Sequence, residues 1–500
     1  MVKRLRIPAL LAATVLLAVT AYWLLFTVFM TYDDEGYVLV SLANYAAHGG
    51  LYAQVYSQYG PFFYVLHDAC HRVLGYDFTN TAGRWFTLLC WLLAAGGAAH
   101  LVWRRTRDAT LAGFTLGLTF FHLWLMVSEP MHPGGLIVVL VTVAAWLGAR
   151  QIEKGSLSGL AVTAGLAGAA LLLTKVNVGV FFLAAAGGWF AVHFRDPVPA
   201  RRLTLLATAL LVLLPLVLMR AQLGGSWGPL FAGLSITASL GMLGVAWRQR
   251  TPLTSWRQAW WGAGSLVLLG ALVLAVVRLR GTTFPELLEG MLLGPLRHPG
   301  VYRFAPIWLP GAALAGGGSL LLAVWAWRRP GPGLDWLLVA LRLTVILVYS
   351  VACLECLPFS AHKFTMSFAV PLAWIFARRL APVGDEDPVP GGATWLGLLL
   401  VLQYLHAFPV AGSQVAWGTF LVVPLLALGL HDTQRFIATH RADMSVLVGL
   451  VALGLAVCVA GRMVAIGGSR YAGSRPLRLP GAAGLRLPEN LASALRVTAA

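Results

Sequence analysis

"IPALLAATVLLAVTAYWLLFTVFMTYDDEG" (Ile7–Gly36) decides the fold of this chain. Its first 24 residues, Ile7 to Met30, carry no charge; then Asp33, Asp34 and Glu35 follow within five positions. A run of about 20 apolar residues is what a helix needs to cross the hydrocarbon of a bilayer. The basic start, Met1 to Arg6, and the length of the run exceed what a signal-peptide core looks like, so a retained first span is expected. The same pattern recurs along the chain. It has 500 residues, of which 59% are hydrophobic and only 11% charged, against roughly 25% charged in soluble domains. The expected fold is therefore an all-α polytopic membrane protein, because only helices satisfy their backbone within one segment in lipid.

Apolar windows begin near Ile7, Arg84, Ala109, Gly134, Leu157, Val176, Leu203, Pro229, Trp260, Ile307, Asp335, Lys363, Thr394, Ala416 and Ser445. That predicts about fifteen transmembrane helices. With the basic N-terminus set in the cytoplasm, alternation puts Arg104, Arg105 and Arg107, then Arg150 and Lys154, in successive inner loops. Further inner loops carry Arg248 with Arg250, Arg328 with Arg329, and Arg378 with Arg379. A missed span would break this agreement with the positive-inside rule. The net charge of +17 thus belongs to short cytoplasmic loops, and no aromatic-basic motif points to nucleic acid. Cys353 and Cys356 form a single CxxC without a second pair, which argues for a disulfide or packing over zinc.

The other side carries the chemistry. Residues 31–83 form a long first outer loop and 279–306 a second, within a membrane unit spanning 1–462. Tyr37 to His48 predicts a short amphipathic helix, and "YSQYGPFFYVLHDACHRVLG" (Tyr56–Gly75) predicts a second from Pro61. Both suit helices lying in the interface plane. His67 and His71 lack a third metal ligand and read as packing residues; His122 and His406 read as satisfied helix histidines. The tail, 463–500, is expected outside: two extended pieces around a Pro-Gly turn in "PLRLPGAAGLRLP", then a helix from Glu489. It either docks on the membrane unit or is a shortened form of something larger.

Three carboxylates at a span end read either as a solvated cap or as a site. Partial desolvation and mutual repulsion raise carboxylate pKa values, which suits a general base or a ligand for a divalent cation.

The "DDEGY" motif (Asp33–Tyr37), followed by "GGLYAQVYSQYGPFFY" (Gly49–Tyr64), resembles the GT-C superfamily of integral-membrane glycosyltransferases. That superfamily includes the protein O-mannosyltransferases and the bacterial transferase that adds aminoarabinose to lipid A. "SEPMHPGGL" (Ser128–Leu136), "TKVNVG" (Thr174–Gly179) and "FPVAGSQVAWG" (Phe408–Gly418) look like pieces of a bacterial branch of it. The resemblance implies transfer of a sugar from a polyprenyl-phosphate donor to a glycan, lipid or protein acceptor. The reaction would take place on the outer side of the bacterial cytoplasmic membrane. Asp34 would be the base that deprotonates the acceptor, although Asp33 aligns with the family carboxylate equally well; Glu35 would orient the acceptor or bind a cation. Glu129, with His132 three residues on, occupies the second outer loop where relatives carry an acid, while the aspartate often found there is absent.

Lys175, Arg297, Arg303 and Lys363 are the outer cations suited to the leaving lipid phosphate. Each reads alternatively as a headgroup anchor. No cofactor is required by this scheme, and adjacent carboxylates permit Mg or Mn. The alternatives are a transporter or flippase of lipid-linked sugars, whose signature would be broken helices or intramembrane charge such as Arg342, or a non-catalytic envelope scaffold.

Overall fold

The computed structural model describes residues 2–30, 34–301, 303–329, 331–355, 358–380 and 391–499. Among the described residues the regular structure is helical apart from one two-stranded pairing in the tail and three isolated bridges. Eight helices are long and apolar enough to cross a membrane: Asn80–Thr106, Gly134–Glu153, Pro197–Leu218, Gly228–Arg248, Trp256–Leu279, Pro332–Leu354, Ser413–Ala438 and Ala442–Ala472. Five more are apolar but shorter: Leu10–Leu25, Ala109–His122, Leu157–Leu172, Val176–Val192 and Gly392–Ala407. The windows expected from Ile307 and Lys363 fall on Ala312–Arg328 and on a broken segment, Pro358–Ala377, interrupted by a π-turn at Thr365–Ala369. The chain is a multi-pass helical membrane protein.

Burial sorts these helices into shells. The most apolar window of Ser413–Ala438 is 89% buried, whereas those of Pro197–Leu218 and Trp256–Leu279 are 11% and 17% buried. The outer helices present Leu205, Leu206, Leu268 and Leu272 bare on their surfaces. An exposed apolar area on this scale fits hydrocarbon as the surrounding medium.

Two helices of 14 residues, Glu35–His48 and Pro61–Leu74, follow the first span. Each is about 21 Å long, too short to cross. They build a second core of their own, in which Val38, Leu42, Tyr45, Phe63 and Tyr64 meet Val277 and Leu287. Within 279–306 a short helix, Phe284–Leu288, runs through a π-turn into Gly294–Val301.

The tail docks. Arg475–Pro476 pairs antiparallel with Arg486–Leu487, the Arg486 N–H donates to the Phe26 carbonyl at 2.8 Å, and the Thr81 N–H donates to Gly481 at 3.0 Å. It therefore lies at the end of the bundle where the first span gives way to Asp34. At the opposite end Arg104 and Arg105 pair with Glu153. Glu153 closes the 20-residue helix that starts two residues after His132, so about 30 Å of helix separates the two ends. Cys353 is buried at the end of its helix; Cys356 lies outside the described residues.

Candidate functional site

Glycine sets the position of the first site segment. Gly60 lies so close to the turn at residues 173–174 that an added Cβ would stand 2.1 Å from the Leu173 carbonyl oxygen. The Gly60 N–H donates to Thr174 and the Phe62 N–H to Leu173, both at 2.9 Å. This contact brings Tyr59 and Lys175 alongside each other, 116 positions apart in sequence.

The loop after the Trp124–Val127 turn supplies the second segment. Met131 adopts φ +64, a region uncommon for a non-glycine residue. It is held there by its N–H donating to the Thr87 hydroxyl at 2.7 Å. The next residue, His132, points inward and is 5% exposed. Its ring stacks on Trp417 at 4.3 Å between centroids. Gly134 makes room for that indole, since a Cβ there would sit 2.4 Å from it.

These pieces converge on Asp34, the residue that precedes helix Glu35–His48. Its side chain does not cap the helix; Oδ2 accepts instead from the Tyr59 hydroxyl at 2.8 Å. The Tyr59 oxygen lies 2.8 Å from His132 Nε2, and His132 Nδ1 accepts from the Gly134 N–H at 2.9 Å. A neutral imidazole has one donor and one acceptor nitrogen, so this geometry puts the proton on Nε2. Burial holds the His132 pKa well below the usual range, with Lys175 adding to the effect. Burial first, then Asp34, holds the Tyr59 pKa well above its usual value. The series His132 to Tyr59 to Asp34 is thus a directional relay of donors ending on a carboxylate. The Asp34 side chain is 43% exposed, which leaves room for an incoming hydroxyl.

Glu129 joins from the other side. Its Oε1 accepts from the Ser413 hydroxyl at 2.7 Å, and its Oε2 lies 3.8 Å from His132 Nε2. Lys175 Nζ sits 3.3 Å from His406 Nε2. Burial lowers the Lys175 pKa to about 8, while Glu129 and Asp34 act in the opposite direction. Glu129, His132 and Lys175 therefore gather around Asp34 within electrostatic reach.

The remaining sequence-predicted residues divide differently. Asp33 lies outside the described residues. Glu35, expected to orient the acceptor or hold a cation, instead has both oxygens held by Arg84, at 2.8 and 2.7 Å. Arg84 is fully buried, Glu35 is 3% exposed, and Arg84 also donates to the Val28 carbonyl at 2.6 Å. The pair pins helix Glu35–His48 to Asn80–Thr106 and to the end of the first span. Arg297 is exposed and paired with Glu289 at 2.7 Å. Arg303 is exposed beside Phe304, whose backbone pairs with Pro409 and Ala411, near His406 and Ser413. Lys363 is half-buried and, among the described residues, makes no hydrogen bond or ion pair with the Asp34 group.

Tyr59, Ser413 and Trp417 were not singled out by sequence reasoning, although all three lie in the motifs that carried the resemblance. His406 read as a satisfied helix histidine; its Nε2 faces Lys175 instead. Among the described residues no three His, Cys, Asp or Glu side chains converge as a ready metal site.

No protein-family model and no curated protein matches the chain. Among solved structures, the arabinosyltransferase EmbB from Mycobacterium smegmatis is similar over 92% of this chain, at 15% identity and a TM-score of 0.39. The chain spans 40% of the length of that protein. A likeness at this level sets neither family nor activity.

Proposed function

We propose that the chain is a membrane glycosyltransferase of GT-C type, with Asp34 as general base. It moves a sugar from a polyprenyl-phosphate donor to an acceptor hydroxyl on the side of the membrane opposite the arginine-rich loops. About fifteen crossings, with the N-terminus cytoplasmic, would give that orientation. The observation that carries the reading is the half-exposed Asp34 carboxylate, oriented by Tyr59 and His132 and flanked by Glu129 and Lys175.

The chemistry follows from those roles. Asp34 takes the acceptor proton, the acceptor oxygen bonds to the anomeric carbon, and the bond from that carbon to the lipid phosphate breaks on the opposite face, inverting the centre. Tyr59 and His132 hold the carboxylate in one orientation. Lys175 stabilises the departing phosphate, and Arg303, in the segment whose Phe304 pairs with residues 409 and 411, is a second cation for it; Arg297 and Lys363 are secondary anchors for the donor. The scheme requires no cofactor, and Asp34 with Glu129 offers a divalent cation two carboxylates.

The test is sugar transfer from a polyprenyl-phosphate donor by the purified chain in lipid nanodiscs. Asp34→Asn should lower the rate by about 10²–10⁴, the usual weight of a positioned acid or base. Full activity in that variant would remove the proposal.

A further inference from the structure

A cavity of about 470 Å³ opens at the arginine-rich end, between helices Gly228–Arg248 and Ala312–Arg328 and the segment Ala373–Ala377. Its size falls within the range of roughly 300–1,000 Å³ typical of small-molecule sites. The wall is apolar, built by residues such as Leu240, Val245 and Ala323, and its rim carries Arg248, Arg328 and Arg378. Gly244 lines it, and a Cβ added there would meet no atom within 4 Å. The cavity opens sideways past Val324 and Trp327, which are 42% and 48% exposed, toward the surface that faces hydrocarbon.

The three guanidinium groups make no ion pair among the described residues. Arg248 donates to the carbonyls of Ala326 and Trp327, and Arg378 to that of Ala326. The Arg378 Nε is buried with no partner. The nearby Arg342 is already paired with Asp432. Asp335, buried on helix Pro332–Leu354, acts electrostatically on Arg378; three arginines against that one carboxylate still leave net positive charge around the mouth of an apolar slot. Trp247 and Trp327 sit beside these arginines at the helix ends, the usual mark of the headgroup level.

We propose that this cavity binds an anionic phospholipid, its phosphate on Arg248, Arg328 and Arg378 and one acyl chain along the Gly244 wall. Basic pockets between membrane helices recognise anionic headgroups in this way. The site is separate from the Asp34 group and independent of the reading given to it.

The test is native mass spectrometry of the full chain in non-ionic detergent, with phosphatidylglycerol and phosphatidylcholine of identical acyl chains as probes. Phosphatidylglycerol should be retained at least about tenfold better. Arg328→Gln, at an exposed residue, and Gly244→Leu, which fills the slot, should each reduce that retention about tenfold at unchanged melting temperature. Inorganic phosphate at millimolar concentration should not displace the lipid. Equal retention of the two lipids, indifference to Arg328→Gln, or displacement by phosphate alone would overturn the proposal. Arg328→Gln decides the matter if Gly244→Leu does not fold.

Discussion

The two ends of the bundle handle charge in opposite ways. At the arginine-rich end Arg342, fully buried, donates to the Ile375 carbonyl at 2.9 and 2.7 Å, to Asp432 at 2.8 Å, and to Gly429, Thr433 and Arg378. Its hydrogen-bonding capacity is spent on the protein. At the other end Asp34 is half exposed and oriented through one of its oxygens, and Lys175 faces a histidine rather than a carboxylate. A saturated charge holds helices together, whereas one held in place with capacity to spare can meet a substrate. The contrast repeats within one motif, where Glu35 is saturated by Arg84 and its neighbour Asp34 is not.

Arg342→Met should have the largest effect. Removing one partner of a buried pair costs about 3–5 kcal/mol, so the melting temperature should fall steeply. A variant that keeps its stability but loses function would make Arg342 a functional intramembrane charge, as a transporter requires. Lys175→Gln should lower sugar transfer by about 10²-fold, the weight of a lost donor at a developing oxyanion. The Lys175 charge is present below its pKa of about 8 and lost above it. Wild-type activity should therefore decline as pH rises through 8, and Lys175→Arg should move that decline upward. Tyr59→Phe removes a hydrogen bond to a carboxylate and leaves His132 Nε2 without its acceptor; stability should fall by about 1.5–3 kcal/mol, and the fraction that remains folded should turn over more slowly. Arg297→Gln breaks an exposed pair worth about 0–1 kcal/mol and removes a secondary donor anchor; folding should be nearly unchanged and turnover should fall only slightly. A large loss there would shift the donor site toward residues 294–303.

Much of the architecture was legible in the sequence because it depends on local pattern. The apolar windows, the two short helices after Asp34 and the extended pieces of the tail each rest on runs or turns within a few residues. The site was legible only in part. Asp34, Glu129, His132 and Lys175 stood out as charges or histidines in apolar surroundings, and the structure gathers them. The hold of Arg84 on Glu35 is not legible in the sequence, because the two lie 49 positions apart on different helices. Tyr59 escaped because a tyrosine beside Gly-Pro carries no signal of its own. Its role comes from a glycine contact with a turn more than 110 residues downstream. Ser413 likewise reaches Glu129 across 284 positions.

The most direct test places the two neighbouring carboxylates in one experiment: Asp34→Asn and Glu35→Gln, each measured for melting temperature and for sugar transfer from a polyprenyl-phosphate donor. Asp34→Asn should keep the wild-type melting temperature and lose about 10²-fold or more in rate. Glu35→Gln should lose about 3 kcal/mol of stability, while the fraction that remains folded turns over near the wild-type rate. The reverse pattern, an active Asp34→Asn and a stable but inactive Glu35→Gln, would contradict the assignment of the base.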